Sequence, residues 1–219
     1  EQLRRAMPAH PFLELVHRLD RETSGILLIA KKKRALTALQ SQFKARETGK
    51  VYLTLVKGEW PANLKVIDTA LAKFTLANGE RRVRGVSKDD PNALPSLSLV
   101  KVLKHHAARS AAGDAASSLL AVTIKTGRTH QIRVHLKFAG FPIYGEEFYG
   151  DGRRLFLSAL KPSYRLKEGQ EERPLTPSLA LHAWKLAVSH PDDERRVEIT
   201  APWHDDLEVA LKYLRKFGK

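Results

Sequence analysis

Two short strings hold most of the residues able to do chemistry. The first, His17-Arg18-Leu19-Asp20-Arg21-Glu22-Thr23-Ser24-Gly25, sets Asp20 between two arginines just before an apolar run. A carboxylate so placed serves as nucleophile, base or electrostatic anchor if it lies in a pocket; in the open it is a polar turn with solvated arginines. The second, Lys125-Thr-Gly-Arg-Thr-His-Gln-Ile-Arg-Val-His-Leu-Lys137, carries four Lys or Arg residues, two histidines and no acid at a strand-to-helix junction, where backbone amides and cations can both meet phosphate. A solvated basic helix face would account for most of this string but not for Gly127 and Arg128 ahead of the helix. An acid from the first string and an arginine from the second can pair across the fold, which keeps the acid ionised inside a pocket.

The elements that must position these strings follow from apolar spacing. Gly25 to Ala30 is a short, branched, continuous apolar run that reads as a buried strand. Leu36, Leu39 and Phe43 then fall at helical spacing, with Gly49 placed to stop the helix. Val51 to Val56, Ser96 to Leu103 and Ser118 to Lys125 read as strands. Thr129 is the expected cap of a second helix with Ile132 and Leu136 on one face and Gly140 past its end. Leu179 to Val188 is a further strand, and Asp205 to Phe217 an amphipathic helix with Leu207, Leu211 and Leu214 inward. The order β-α-β-β-β-α-β-α predicts an α+β fold with a mixed, mostly antiparallel sheet of sequence-local meanders and flanking helices. Ala107 to Ala116 reads as a hairpin tip, and Gly150 to Ser178 as a basic surface insertion.

The 219 residues fit one domain with a continuous core, and 38 Lys and Arg against 24 Asp and Glu give a net charge of +14 and a pI near 10.1. That excess favours a polyanionic partner, nucleic acid ahead of an anionic membrane surface. With 42% hydrophobic residues the charge decorates a packed protein. The absence of cysteine removes disulfides, thiolate metal sites and cysteine nucleophiles, and suits a reducing cytoplasm. The longest apolar run is too short to span a bilayer, and the first residues make no secretory signal. Because the chain opens at Glu1 inside what reads as a helix, it is expected to be a fragment of a longer protein.

Taken together the strings resemble the RluA family of RNA pseudouridine synthases, and within it the RluC-like members of the large ribosomal subunit. HRLDRETSG matches the family's catalytic motif and GRTHQIRVH its arginine motif, with KVYLTLVKG between them. Further matches are Gly140-Phe-Pro-Ile-Tyr-Gly145, Tyr149-Gly150, Leu181-His-Ala183, Ser189-His-Pro191 and Ala201-Pro202. They cover nearly all of the chain outside the insertion. The resemblance implies the pseudouridine synthase fold and, residue by residue, the reacting carboxylate at Asp20, its arginine partner at Arg128, an aromatic against the target uracil at Tyr52, and an apolar pocket wall at Ile132. It also implies that Arg18 fills the space a flipped uridine leaves, and places His130 and Arg133 among the substrate-binding residues. No cofactor or metal is implied. The family's usual opening strand with a Lys-Pro motif and its frequent S4-type RNA-binding domain are not found in this sequence, which points to a catalytic domain spanning residues 1–219 with the insertion at 150–178 inside it.

The implied activity is conversion of uridine to pseudouridine in large-subunit (23S) ribosomal RNA, by a monomer in the cytoplasm. The same chemistry on tRNA or another RNA, or a catalytically silent basic RNA-binding protein, are the alternatives. A metal-dependent nuclease would want clustered carboxylates, and the acids here are dispersed. His130 and His135 are five apart, the wrong spacing for a same-face metal pair. His105-His106 is expected to reach solvent or phosphate at a strand end, and Arg153, Arg154, Lys161, Arg165 and Lys167 to be solvated or to contact RNA.

Overall fold

The computed structural model describes residues 2–107, 116–161 and 163–217. The elements run α1 (Gln2–Ala6), β1 (Glu14–Leu15), β2 (Ser24–Gly25), β3 (Ile29–Ala30), α2 (Lys33–Ala45), β4 (Gly49–Lys57), β5 (Val66–Ile67), β6 (Ala70–Thr75), β7 (Arg81–Val86), β8 (Ser98–His106), β9 (Ser117–Ile124), α3 (Gln131–Phe138), α4 (Leu157–Leu160), β10 (Leu181–Ser189), β11 (Arg196–Thr200) and α5 (Asp205–Phe217). The architecture is α+β, as the element pattern predicts. A central sheet runs in the order β11-β10-β4-β9-β8-β5, antiparallel along this path, with β2 added in parallel to β10. Two-stranded ribbons β1–β3 and β6–β7 lie apart from it.

The sheet is less local than meanders would make it, because its middle is β10-β4-β9, three strands far apart in sequence. Strand β9 buries nearly every position and β4 its run from Leu53 to Val56, so together they form the floor of the main core. Helix α5 closes one side with Leu207, Ala210, Leu211 and Leu214, the stripe that its spacing predicts. Helix α2 lays Leu39 against Leu186, Val188, Val16 and Ile26 in a second cluster. Helix α3 is wedged between the main core, which takes Ile132 and Leu136, and the β6–β7 ribbon, which receives Val134 against Leu71 and Val83. Two opposed apolar faces on one short helix explain why all six residues from Gln131 to Leu136 are buried, where a basic solvated face would leave half of them in water.

Several boundaries differ from the sequence reading. Gly25 to Ala30 is two short pairings rather than one strand: β2 joins β10, β3 joins β1, and Leu27 between them is 41% exposed. Helix α2 ends at Ala45 with Arg46 in the left-handed region (φ 62°), its N–H bonded to the Gln42 and Phe43 carbonyls, and Gly49 opens β4 instead of stopping the helix. Thr129 does not cap α3; His130 stands at that position in the left-handed region (φ 51°) without a side-chain cap bond. The stretch from Gly150 to Ser178 is anchored, with Leu155, Leu160, Leu175 and Thr176 buried and the Leu155 N–H bonded to Thr176 Oγ1. Residues 108–115 of the expected hairpin tip lie outside the described residues, although β8 and β9 on either side pair up to His106 and Ser117.

Candidate active site

Asp20 sits where chain geometry is tightly fixed on both sides. Upstream, Val16 N–H bonds Leu28 C=O, Leu28 N–H bonds His17 Nε2 at 3.1 Å, and the His17 ring stacks on Phe43 of α2 at 4.7 Å. Downstream, Thr23 N–H turns back to Asp20 C=O, Ser24 Oγ lies 2.8 Å from His182 Nδ1, and Ile26 N–H bonds Ala183 C=O. Gly25, at φ +110°, makes this approach possible: a Cβ there would stand 2.3 Å from the Ala183 carbonyl oxygen. The loop carrying Asp20 is thus stapled to α2 at one end and to β10 at the other.

Asp20 opens into a cleft of about 540 Å³ whose lining includes Arg18, Tyr52, Arg128, Ile132 and Arg133 together with Lys44, Arg46 and Lys50. Tyr52 on β4 and Ile132 on α3 supply apolar surface, and the arginines and lysines make the cleft strongly cationic. Burial, and then the Asp20 charge, push the Tyr52 phenol up to about 12, so the ring is neutral at neutral pH. Burial chiefly, with the Arg46 charge adding to it, lowers the Lys50 ammonium from its ordinary value. Arg18 is exposed at the rim.

The structure brings Arg18, Asp20, Tyr52, Arg128, Ile132 and Arg133 to one cleft, whose lining does not include His130, and gives Arg128 a different partner from the one expected. Arg128 directs Nε to the Pro95 carbonyl at 3.1 Å. The cation-capable group beside Asp20 is His130, its Nε2 3.9 Å from Asp20 Oδ1. Arg133 is 1% exposed, and its Nε and Nη2 donate to Glu146 Oε2 and Oε1 at 2.6 and 2.7 Å, so it supports the wall of the cleft from behind. Glu146 Oε1 also accepts the backbone N–H groups of Phe148 and Tyr149. His135 is buried, with Nδ1 3.0 Å from Ser98 Oγ and Nε2 3.0 Å from Thr69 C=O, a structural role and not a ligand set. Among the described residues no group of three His, Asp or Glu is arranged to hold a metal ion. His106 is buried, whereas His105 is exposed as expected, with its Nδ1 3.0 Å from Ser118 Oγ. Of the insertion's cations, Arg154 pairs with Glu147, Arg153 lies 3.7 Å from Asp151 and Lys161 sits over the Phe217 ring, while Arg165 and Lys167 are exposed.

Glu146 and the Lys44–Arg46 edge are missing from the sequence reading. A signal existed for the first: a helix carrying Ile132, Val134 and Leu136 on several faces has no open side for Arg133, which must then find an acid elsewhere in the chain. No comparable signal marks Lys44 or Arg46, which look like any solvated helix end.

Comparison with known proteins identifies the family of the chain. A family model described as RNA pseudouridylate synthase matches residues 2–138. The chain is 38% identical over 216 residues to ribosomal large subunit pseudouridine synthase C of Vibrio cholerae serotype O1, across 99% of this chain and 60% of the relative. It is 39% identical over 215 residues to the protein of the same name from Salmonella typhi, across 98% of this chain and 60% of the relative. It therefore spans about three-fifths of the length of these relatives. Among solved structures, human RNA pseudouridylate synthase domain containing 1 superposes with a TM-score of 0.68 at 27% identity, covering 98% of this chain and 83% of that one.

Proposed function

Because this chain belongs to the RNA pseudouridylate synthase family, we propose that it converts uridine to pseudouridine in large-subunit (23S) ribosomal RNA, with Asp20 as the reacting carboxylate. The observation that carries this reading is the convergence of Asp20, Tyr52 and Arg128 in one cationic cleft of a size suited to a nucleotide. The isomerisation breaks the bond from the sugar to N1 and forms one to C5; N1 gains a proton and C5 loses one, so atoms balance without a cofactor.

Each residue has a physical task in that scheme. Asp20, fixed by the staples at His17 and Ser24, is held within reach of the nucleoside and supplies proximity as well as reactivity. Tyr52 presents its ring to the uracil; with its phenol near 12 the phenolate is scarce at neutral pH, which favours stacking over proton removal as its contribution. Ile132 adds apolar wall. Arg18 at the rim is placed to occupy the gap left by an extruded base, offsetting an unstacking cost of a few kcal/mol. The cations of the cleft hold phosphates, and +14 overall brings the RNA in. Similarity to large-subunit enzymes supports ribosomal RNA as the substrate, and no helix among the described residues is long and apolar enough to cross a membrane.

The test is tritium release from ribosomal RNA labelled at uridine C5. The parent chain releases tritium; Asp20→Asn keeps RNA affinity, which rests on phosphate contacts, and loses release. Turnover above a trace in the Asn variant overturns the assignment of Asp20.

A further inference from the structure

Tyr149 Oη has two hydrogen-bond neighbours among the described residues: the Val83 N–H of β7, 3.1 Å away, which donates to it, and His130 Nδ1 at 2.7 Å. The first bond uses the phenol as acceptor and leaves its own hydrogen available to Nδ1. Donated there, it sets the neutral imidazole as the Nε2–H tautomer, and Nε2 is the atom 3.9 Å from Asp20 Oδ1. Burial lowers the His130 pKa, against an opposing pull from Asp20, which favours the neutral ring.

The surroundings are built to keep this arrangement. His130 occupies the left-handed region at φ 51°, a conformation that costs a non-glycine residue and persists where neighbours hold it. Phe148 stacks on it at 6.1 Å with an interplanar angle of 13°, and Tyr149 meets it edge-on at 5.5 Å. The turn bearing both aromatics is tied down by Glu146, which accepts their backbone N–H groups while holding the buried Arg133. Arg82 from β7 adds a bond to Phe148 C=O at 2.7 Å.

We propose that His130 and Tyr149 form a positioning pair for Asp20: Tyr149 sets the tautomer, and His130 turns its Nε2–H toward the carboxylate, orienting the oxygen that reacts. This rests on the proposed activity, and it gives the Phe148-Tyr149 turn a task in the reaction. From 3.9 Å a small rotation of either side chain on RNA binding completes the bond.

The experiment has two arms. Nitrogen NMR of histidine-labelled protein without RNA reads the tautomer: the parent shows His130 protonated at Nε2, and Tyr149→Phe, which keeps the ring and deletes the hydroxyl, shows a mixture or the Nδ1–H form. Tritium-release kinetics read the consequence: Tyr149→Phe lowers kcat about tenfold with KM for RNA unchanged. In the background of His130→Gln, whose amide donor stands near the Nε2 position and has no tautomer to choose, adding Tyr149→Phe costs less than twofold. An Nδ1–H parent, an unchanged kcat in Tyr149→Phe, or equal losses in both backgrounds overturns the pair. If the parent releases no tritium while the tautomer result holds, the assigned activity fails and the tautomer assignment survives.

Discussion

Replacing Gly25 with Ala tests how the reacting loop is held, because this glycine meets two separate demands at once. Its φ of +110° lies where L side chains are strained, and its missing Cβ leaves room for Ala183, whose carbonyl oxygen, nitrogen and carbonyl carbon would lie 2.3, 2.7 and 2.8 Å from the new methyl. The backbone strain alone costs about 1–2 kcal/mol. All three clashing atoms are backbone, so they can only move together; β2 must leave β10, and the Ile26 N–H to Ala183 C=O bond is lost for about 1–2 kcal/mol more. The sum is about 2–4 kcal/mol. Gly79 provides the control, since its φ is +81° and nothing lies within 4 Å of an added Cβ, so Gly79→Ala isolates the strain. Urea unfolding of both variants should place Gly25→Ala at least 1 kcal/mol below Gly79→Ala, and tritium release by the folded Gly25→Ala protein should fall while RNA affinity holds, since Asp20 loses its downstream staple. Equal destabilisation in the two variants would refute the close-packing argument, and undiminished release would show that the β10 staple does not position Asp20.

Glu146→Gln should destabilise the chain by about 3–5 kcal/mol in urea titrations, because it strands the Arg133 guanidinium at 1% exposure without its countercharge; a loss under 1 kcal/mol would mean that water reaches the pair. Stability should also decline as pH falls from about 6.5 toward 4: burial, helped by Lys104, Arg215 and His105, pushes His106 down to about 4 from 6.5, so in that window the unfolded chain binds the proton and the folded chain does not. Burial lowers His17, His130, His135 and His182 in the same direction, and His106→Gln should flatten part of the decline, measured as Tm against pH. Lys44→Ala, removing an exposed cation from the cleft lining, should weaken RNA binding and reduce the slope of log K against log salt by about one; an unchanged slope would place the RNA path elsewhere.

What could be read from the sequence tracks how locally each feature is determined. Helix α5 begins and ends where its acidic first turn and leucine stripe put it, and β4 and β9 follow from runs of branched residues, because in each case burial of one face is decided within the segment. The β6–β7 ribbon was legible and went unread: Asn78-Gly79 between two alternating segments is a hairpin signal, and the structure closes it with Leu76 N–H to Glu80 C=O and Gly79 N–H to Leu76 C=O. The splitting of Gly25 to Ala30 was not legible, since an apolar run looks the same whether one neighbour or two different ones take its hydrogen bonds. At the site, the motifs identify Asp20, Tyr52, Arg128 and Ile132 as cleft residues. They do not reveal that Arg128 turns to Pro95 or that His130 stands 3.9 Å from Asp20, the latter on a left-handed residue ahead of α3 that no propensity foretells.

The staple between Ser24 and His182 joins residues 158 positions apart. A chain emerging from the ribosome at roughly 5–20 residues per second has its reacting loop exposed for about 10–30 s before the strand that fixes it exists. Helix α2 and the sheet centre β4-β9 can form in that interval, so the nascent protein acquires its cationic surface before its chemistry. The loop is fixed in one late step, when β10 pairs with β4 and β2. The contact that holds the Asp20 loop to the sheet therefore waits on residues 181–183, made long after the loop itself.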